Sequence, residues 1–140
     1  MGVTLGNKLH SVDMGYGHFS FGFKRDIAAS IDKRLGEEYG KWLEAVFRHE
    51  DYDCHYLNWL IEDINLDEEI GYFLFEASDC EGSLTPKCCK KILETFDKIE
   101  PGVYGYNFYQ RGYYRNSATY EDIKMILEEC VKHRWKLKWS

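Results

Sequence analysis

Residues 119–139 read TYEDIKMILEECVKHRWKLKW, and this stretch decides the fold class. Its first part carries apolar residues at steps of three and four, which places them on one face of a helix that Thr119 caps. From Arg134 to Trp139 basic and apolar residues alternate strictly, as in a strand with one buried and one solvated face. The helix face comprises Ile123, Ile126, Leu127, Cys130 and Val131. A helix followed by a half-buried strand predicts a protein that combines helices with a sheet.

Helices dominate the middle of the chain. Apolar spacing predicts one long helix over Ile27–Phe47 and a second over Tyr56–Ile64. A third helix begins at Thr85-Pro86, where a cap residue precedes a proline at the first helical position, and ends at Pro101-Gly102. Between the second and third helices, the apolar run Ile70–Ala77 predicts a central strand.

The N-terminus carries a hairpin pattern. Val3-Thr4-Leu5 and Lys8-Leu9-His10 flank Gly6-Asn7, which predicts a two-residue turn and a second strand running toward Asp13. Val103–Asn116 lacks clean periodicity and is interpreted as an irregular strand or loop. The whole sequence, residues 1–140, therefore predicts a single α+β domain, a small and mostly antiparallel sheet packed with about four helices.

Charge is unevenly distributed along the 140 residues. The net charge is −6. Because proteins bind the phosphate backbone of nucleic acids mainly through basic side chains, this charge argues against direct nucleic-acid binding. Glu37–Glu81 holds 14 acidic and 2 basic residues, whereas Val103–Ser140 holds 7 basic and 4 acidic ones. This contrast is compatible with two faces of opposite potential, but a solvated acidic surface that aids solubility is the favoured interpretation.

The cysteines and the apolar runs bear on the compartment. The chain has five cysteines, an odd number without a C-x-x-C motif, and Cys88 and Cys89 are adjacent. This is not the pattern of a secreted disulfide framework. No apolar run suits a signal peptide or a membrane span, so we expect a cytoplasmic protein without a membrane partner.

No motif of the sequence assigns a reaction. Ser78–Thr85 imitates part of a calcium loop, but Ala77 and Cys88 stand where ligands are needed, so a strand-to-helix turn with Gly82 at positive φ is favoured. The two histidines of His49–His55 are six residues apart and do not share a helical face. We assign no catalytic residue, no metal ligand and no cofactor, and favour a non-catalytic protein, with a small hydrolase as the alternative.

Two aromatic and basic groups are candidates for ligand binding. Flat rings stack on bases, and arginine side chains grip phosphate or carboxylate groups. One group lies in the tyrosine-rich segment and the other among the glycines near the N-terminus. Together the predicted ligand-binding residues are Tyr16, His18, Phe19, Arg25, Tyr106, Tyr109, Arg111, Tyr113 and Arg115. Core packing is the competing interpretation for both groups.

Three stretches carry a family resemblance: SVDMGYGHF (11–19), SDCEGSLTPKCCKKILETF (78–96) and ILEECVKHRWKLKW (126–139). In these stretches the chain resembles a family of small uncharacterised proteins of phages, prophages and mobile elements of Gram-positive bacteria. The resemblance implies a context, an accessory protein in the cytoplasm of a bacterial host cell. It implies no activity and no role for any residue.

Residues and context together favour a counter-defence binding protein that sequesters a nucleotide-derived small molecule. The alternative is a protein–protein inhibitor of a host defence protein, acting through the tyrosine-rich segment or through an acidic surface that mimics nucleic acid. The partner is then a nucleotide-like molecule or a host protein, and the aromatic content leaves a homodimer open.

Overall fold

The computed structural model describes residues 3–14, 18–99 and 120–140. Within these ranges the chain forms four strands and six α-helices, with a π-helical turn at His18–Lys24 and a 3-10 turn at Phe96–Lys98. The strands are β1 (Val3–Gly6), β2 (Ser11–Met14), β3 (Gly82–Leu84) and β4 (Leu137–Trp139). The helices are α1 (Arg25–Ile31), α2 (Lys33–Arg48), α3 (His55–Asp63), α4 (Glu68–Phe75), α5 (Pro86–Thr95) and α6 (Tyr120–His133). The predicted α+β class is confirmed.

The sheet is antiparallel with the order β2-β1-β4-β3. Its inner face buries Leu5, Leu137 and Trp139, whereas Thr4 and Lys138 on the outer face are exposed. The C-terminal strand therefore has one buried and one solvated face, as its alternation predicts. Because β4 lies between β1 and β3, the last residues of the chain join the N-terminal hairpin to the middle of the sequence.

The N-terminal hairpin is confirmed, but its predicted two-residue turn is wrong. β2 begins at Ser11, so residues 7–10 form the turn. The side-chain oxygen of Asn7 accepts hydrogen bonds from the backbone N–H groups of Leu9 at 2.8 Å and His10 at 2.9 Å. An asparagine that bonds the backbone two and three residues ahead stabilises this longer turn.

The long helix predicted over Ile27–Phe47 is two helices. The break is Asp32, whose backbone is extended with φ −159° and ψ 130°. Its carboxylate accepts a hydrogen bond from the backbone N–H of Arg34 at 2.8 Å and so caps α2. The apolar spacing continues across the break, which hides it from a periodicity argument.

The central strand predicted over Ile70–Ala77 is wrong, because residues 68–75 form helix α4. Asp67 is the cap: its carboxylate accepts hydrogen bonds from the N–H groups of Glu69 at 2.9 Å and Ile70 at 3.2 Å. The acidic triplet Asp67–Glu69 is thus the cap and first turn of a helix, where carboxylates are favourable. This helix and the split at Asp32 raise the helix count above the predicted four.

The third predicted helix is confirmed, and Thr85 caps it by accepting a hydrogen bond from the N–H of Cys88 at 3.1 Å. The turn before it differs from the prediction, because Gly82 begins strand β3 and does not adopt a positive φ. Glycine is needed there for another reason: a Cβ atom on Gly82 would overlap the buried indole of Trp139.

A buried cation lies beside the aromatic core. Lys24 is only 1% exposed, and its ammonium donates hydrogen bonds to Asp79 at 2.8 Å and to the carbonyl of Ala77 at 3.2 Å. The ammonium also lies 5.0 Å and 5.1 Å from the ring centroids of Phe19 and Phe73. Burial lowers the pKa of Lys24.

None of the helices in the described part of the chain is long and apolar enough to cross a membrane.

Candidate functional site

The structure describes only part of the predicted ligand-binding set. Six of its members lie outside the described residues: Tyr16, Tyr106, Tyr109, Arg111, Tyr113 and Arg115. His18 begins the π-helical turn. Phe19 and Arg25 are described with their side chains, and they occupy different surroundings.

Phe19 lies in the core and is 4% exposed. Its ring meets Phe73 edge to face at 6.1 Å and lies 5.3 Å from the ring of Trp139. Stacking on a ligand would require the ring to leave this cluster. The core-packing interpretation therefore describes its position in the structure.

Arg25, the first residue of α1, contacts α2 through its side chain. Its Nε donates a hydrogen bond to the carbonyl of Gly36 at 3.2 Å, and its guanidinium occupies the space where a Cβ of Gly40 would lie. This close approach explains why α2 tolerates a glycine, which costs a helix about 1 kcal/mol relative to alanine. The guanidinium of Arg25 thus lies against α2, while Phe19 lies in the core.

A different set of residues forms an open site, here called the basic cleft. It lies along β1 and β4 and has a volume of about 540 Å³. Four basic side chains line it, and none of the described lining residues carries a carboxylate side chain. The lining comprises Thr4, Gly6, Asn7, Lys8, Arg134, Trp135, Lys136, Lys138, Trp139 and Ser140.

Strand pairing assembles the basic cleft from the two ends of the chain. Gly6 pairs with Lys138, and the N–H of Thr4 donates to the carbonyl of Ser140 at 2.8 Å. Lys136 comes just before β4 and Lys138 lies on its solvated face; both are exposed, and both line the cleft. Gly6 stands directly opposite Lys138 and adds no side chain to the floor.

The end of α6 positions the remaining basic and aromatic side chains. Arg134 has a φ of 58°, a left-handed conformation that costs a residue with a Cβ about 1 kcal/mol. The N–H of Trp135 donates to the carbonyl of Cys130 at 3.0 Å and closes the helix end. The indole of Trp135 stacks on the imidazole of His133, with centroids 4.3 Å apart. The exposed Arg134 and half-buried Trp135 are therefore held by backbone and ring contacts.

Two carboxylates lie next to the basic cleft, and both are hydrogen-bonded. Asp13 accepts a hydrogen bond from the hydroxyl of Thr4 at 2.9 Å. Glu129 lies 2.8 Å from the Nδ1 of His10 and accepts from the amide of Asn7 at 3.3 Å. The hydrogen bond from His10 lowers the pKa of Glu129, so this group is charged at neutral pH. These contacts also fasten the hairpin turn to α6.

Three of the basic residues of this site stand in a stretch whose alternation predicts a strand, and the alternation by itself predicts no ligand. The strand predicted over Arg134–Trp139 is confirmed only for Leu137–Trp139; Arg134 instead has a left-handed backbone at the end of α6, and residues 135 and 136 lead from there into the strand. Lys8 is distant in sequence and reaches the basic cleft only because β1 pairs with β4. A basic face with an aromatic side chain is suited to an anionic ligand that carries a flat ring.

Three of the cysteines are buried, and their thiols differ in pKa: that of Cys130 is lowered by its hydrogen bond with Cys89, whereas those of the other two are raised. Burial raises the pKa of Cys88 to about 11, and a hydrogen bond to Cys130 together with burial raises that of Cys89. Thiols with raised pKa values are poor nucleophiles at neutral pH. Within the described ranges, no three histidine, cysteine or acidic side chains are grouped so that they could hold a metal ion.

Comparisons with protein-family models, curated proteins and solved structures find no match to this chain. The resemblance to phage and prophage proteins therefore stays a prediction.

Proposed function

We propose that the protein is a non-catalytic binding module that captures a small, phosphate-bearing ring compound of the nucleotide type in the basic cleft. One observation carries the proposal: four basic side chains and the indole of Trp135 line one opening, and none of its described lining residues has a carboxylate side chain. Lysine and arginine bind phosphate oxygens through charge-assisted hydrogen bonds, and indole rings stack on bases.

The size of the cleft favours a small molecule. Its volume of about 540 Å³ falls within the range of roughly 300–1,000 Å³ typical of small-molecule sites. A long polyanion would extend past the cleft and meet Asp13, Glu129 and the acidic surface of a chain whose net charge is −6. A nucleotide places its charge only where the basic side chains are.

The resemblance to phage proteins supplies a reason for such a module. A counter-defence protein that sequesters a nucleotide signal binds it without hydrolysing it, and the described lining residues of the basic cleft include no carboxylate, imidazole or thiol side chain. The tyrosines and arginines of the 103–116 segment remain predicted contributors to the same ligand.

Calorimetric titration tests the proposal with defined probes: adenosine and guanosine mono- and triphosphates, a cyclic dinucleotide, and adenosine and tripolyphosphate as the separate parts. We expect at least one nucleotide to bind more tightly than either part. Lys136→Gln with Lys138→Gln should weaken that binding at least 10-fold, because each lost charge-assisted contact is worth about 1.5–3 kcal/mol. Lys33→Gln with Lys90→Gln, two exposed lysines outside the cleft lining, is the matched control.

Arg134→Gly removes a third charge without straining the fold. Because Arg134 has a positive φ, glycine relieves the backbone there, and the variant should be as stable as the parent or more stable. His49→Gly, at the left-handed end of α2 with a φ of 55°, controls for the backbone change. The proposal fails if no probe binds, or if Arg134→Gly and the double lysine variant bind as the parent does.

A further inference from the structure

The helices carry a second opening, here called the acidic groove, which shares no lining residue with the basic cleft. It runs between α2, α3 and α4 and has a volume of about 600 Å³. Apolar side chains from all three helices and the loop before α4 contribute to it, among them Trp42, Leu57, Ile61, Leu66 and Phe75. The groove is therefore a largely apolar depression on the helical part of the molecule.

The apolar floor is held in place by ring contacts. Trp42 meets Phe75 edge to face at 5.0 Å, and Tyr39 meets Phe75 at 5.2 Å. The buried hydroxyl of Tyr39 donates to the carbonyl of Leu74 at 2.7 Å, which fixes α4 against α2. A floor built this way is already ordered in the free protein, so binding costs little conformational entropy there.

The rim of the acidic groove carries one sign of charge. Glu50, Glu68 and Glu76 are exposed on it, and Asp67 is paired with Lys91 at 2.8 Å. None of its described lining residues is a lysine or an arginine. The groove lies within the Glu37–Glu81 stretch, whose 14 acidic and 2 basic residues leave a balance of −12.

Exposed apolar side chains surround the same helices. Seven large hydrophobic residues are exposed in the described part of the chain, and five of them lie on α2, α3 or α4. Val46 and Tyr72, 49% and 54% exposed, line the groove itself. These two side chains add exposed apolar surface to the groove, and apolar surface grouped in one place is typical of interaction sites, whereas scattered single residues are not.

We propose that the acidic groove binds a basic amphipathic helix of a partner protein. Its apolar side chains would lie on the floor, and its lysines and arginines would face Glu50, Glu68 and Glu76. Helices bind grooves in this way through apolar anchors spaced at three and four residues. Charge complementarity selects the basic helix, since an acidic segment or a nucleic acid would face the rim with like charge. This surface does not depend on the function proposed for the basic cleft.

A designed peptide tests this interaction. The probe is an 18-residue peptide of leucine and lysine with its leucines on one helical face, and a peptide of the same composition with scattered leucines is its control. Binding to the full chain is measured by fluorescence anisotropy. We expect the amphipathic peptide to bind at least 10-fold more tightly than the scattered one, because only its leucines reach the floor together.

Two pairs of charge reversals locate the binding. Glu68→Lys with Glu76→Lys changes the rim, and Glu37→Lys with Glu62→Lys makes the same change in net charge at exposed positions that do not line the groove. The rim pair should weaken binding at least 10-fold and the control pair less than 3-fold. Tyr72→Ser should also weaken it without a change of charge.

Three outcomes would overturn the proposal. Equal weakening by both pairs would mean general attraction to an acidic protein. Failure of the amphipathic peptide to bind would remove the groove as a helix site. A dimer in sedimentation that the rim pair dissociates would mean that a second copy covers the groove.

Discussion

The buried pair Lys24–Asp79 should respond very differently to the loss of each partner. Lys24 is 1% exposed, whereas the side chain of Asp79 is 38% exposed. Asp79→Asn leaves a buried ammonium without its counter-charge; among the described residues it then faces neutral groups, the carbonyl of Ala77, the rings of Phe19 and Phe73 and the new amide oxygen. Lys24→Met leaves a carboxylate that water already reaches, and a methionine that fits beside the rings of Phe19 and Phe73.

The expected magnitudes follow from this asymmetry. Removing one partner of a buried pair costs about 3–5 kcal/mol, and the partial exposure of Asp79 places Asp79→Asn near 3 kcal/mol. For a chain of 140 residues this lowers Tm by roughly 10 °C. Replacing a buried charge by an apolar side chain of similar size is often close to neutral, so Lys24→Met should change the unfolding free energy by about 1 kcal/mol or less.

The pH dependence of the unfolding free energy tests the same pair independently, because the shift in the pKa of Lys24 fixes the sign of the change. Burial lowers the pKa of Lys24 in the folded chain below its ordinary 10.5. At a pH between the folded and the unfolded pKa, the unfolded chain therefore binds a proton that the folded chain lacks. Stability from this group therefore rises as the pH rises through that window. Above pH 10 Tyr39 has the opposite effect and lowers the stability as the pH rises, because burial raises its pKa in the folded state.

Urea unfolding at pH 7 and pH 9.5, followed by far-ultraviolet circular dichroism, measures both effects. Asp79→Asn should gain more stability than the parent over this interval, because without Asp79 the pKa of Lys24 falls further, and Lys24→Met should gain less. A loss near 3 kcal/mol for Lys24→Met, or a loss under 1 kcal/mol for Asp79→Asn, would refute the argument from unequal burial.

Two further predictions concern glycine and cap positions in the helices. Gly40→Ala should destabilise the parent by about 1 kcal/mol, because the new Cβ displaces the guanidinium of Arg25 from the carbonyl of Gly36. In an Arg25→Ala background the same substitution should be stabilising, because alanine has the higher helix propensity. A thermal-unfolding double-mutant cycle checks this, and the same sign in both backgrounds would contradict it. Asp67→Ala should cost about 1 kcal/mol in urea unfolding through the lost cap of α4, while Asp67→Asn, which can still cap, should cost less; equal losses would argue against capping.

How far the sequence predicts this fold depends on how local each signal is. The alternation from Arg134 to Trp139 and the cap at Thr85 act within a few residues. The cap is confirmed, and the strand is confirmed over Leu137–Trp139 but not over residues 134–136. The run at Ile70–Ala77 is apolar on several sides, so its hydrophobic period fits a strand as well as a helix. The helix forms because Asp67 caps it through two backbone hydrogen bonds. The aspartate at position 32 decides the α1–α2 break in the same way. In both places a single cap residue outweighs the apolar pattern.

The basic cleft could be predicted only in part, because it is made by pairing of distant segments. The basic residues of 134–138 stand together in the sequence, and their alternation marks a solvated face. That Lys8 joins them depends on the β1–β4 register, in which Gly6 lies opposite Lys138. The acidic groove likewise depends on α4 being a helix, since a strand over Ile70–Ala77 would not place Tyr72 and Phe75 beside Trp42.

The separation of charge between the two sites has a consequence for selectivity. At physiological ionic strength a surface charge acts over about 8 Å, so the basic cleft attracts anions locally even though the chain carries a net charge of −6. A ligand that fits inside this distance gains from Lys8, Arg134, Lys136 and Lys138 without meeting the acidic surface. A longer polyanion meets Asp13 and Glu129 at the edge of the cleft and loses part of that gain. The same argument predicts that the acidic groove prefers basic segments, so under the two proposals each site disfavours the class of partner proposed for the other.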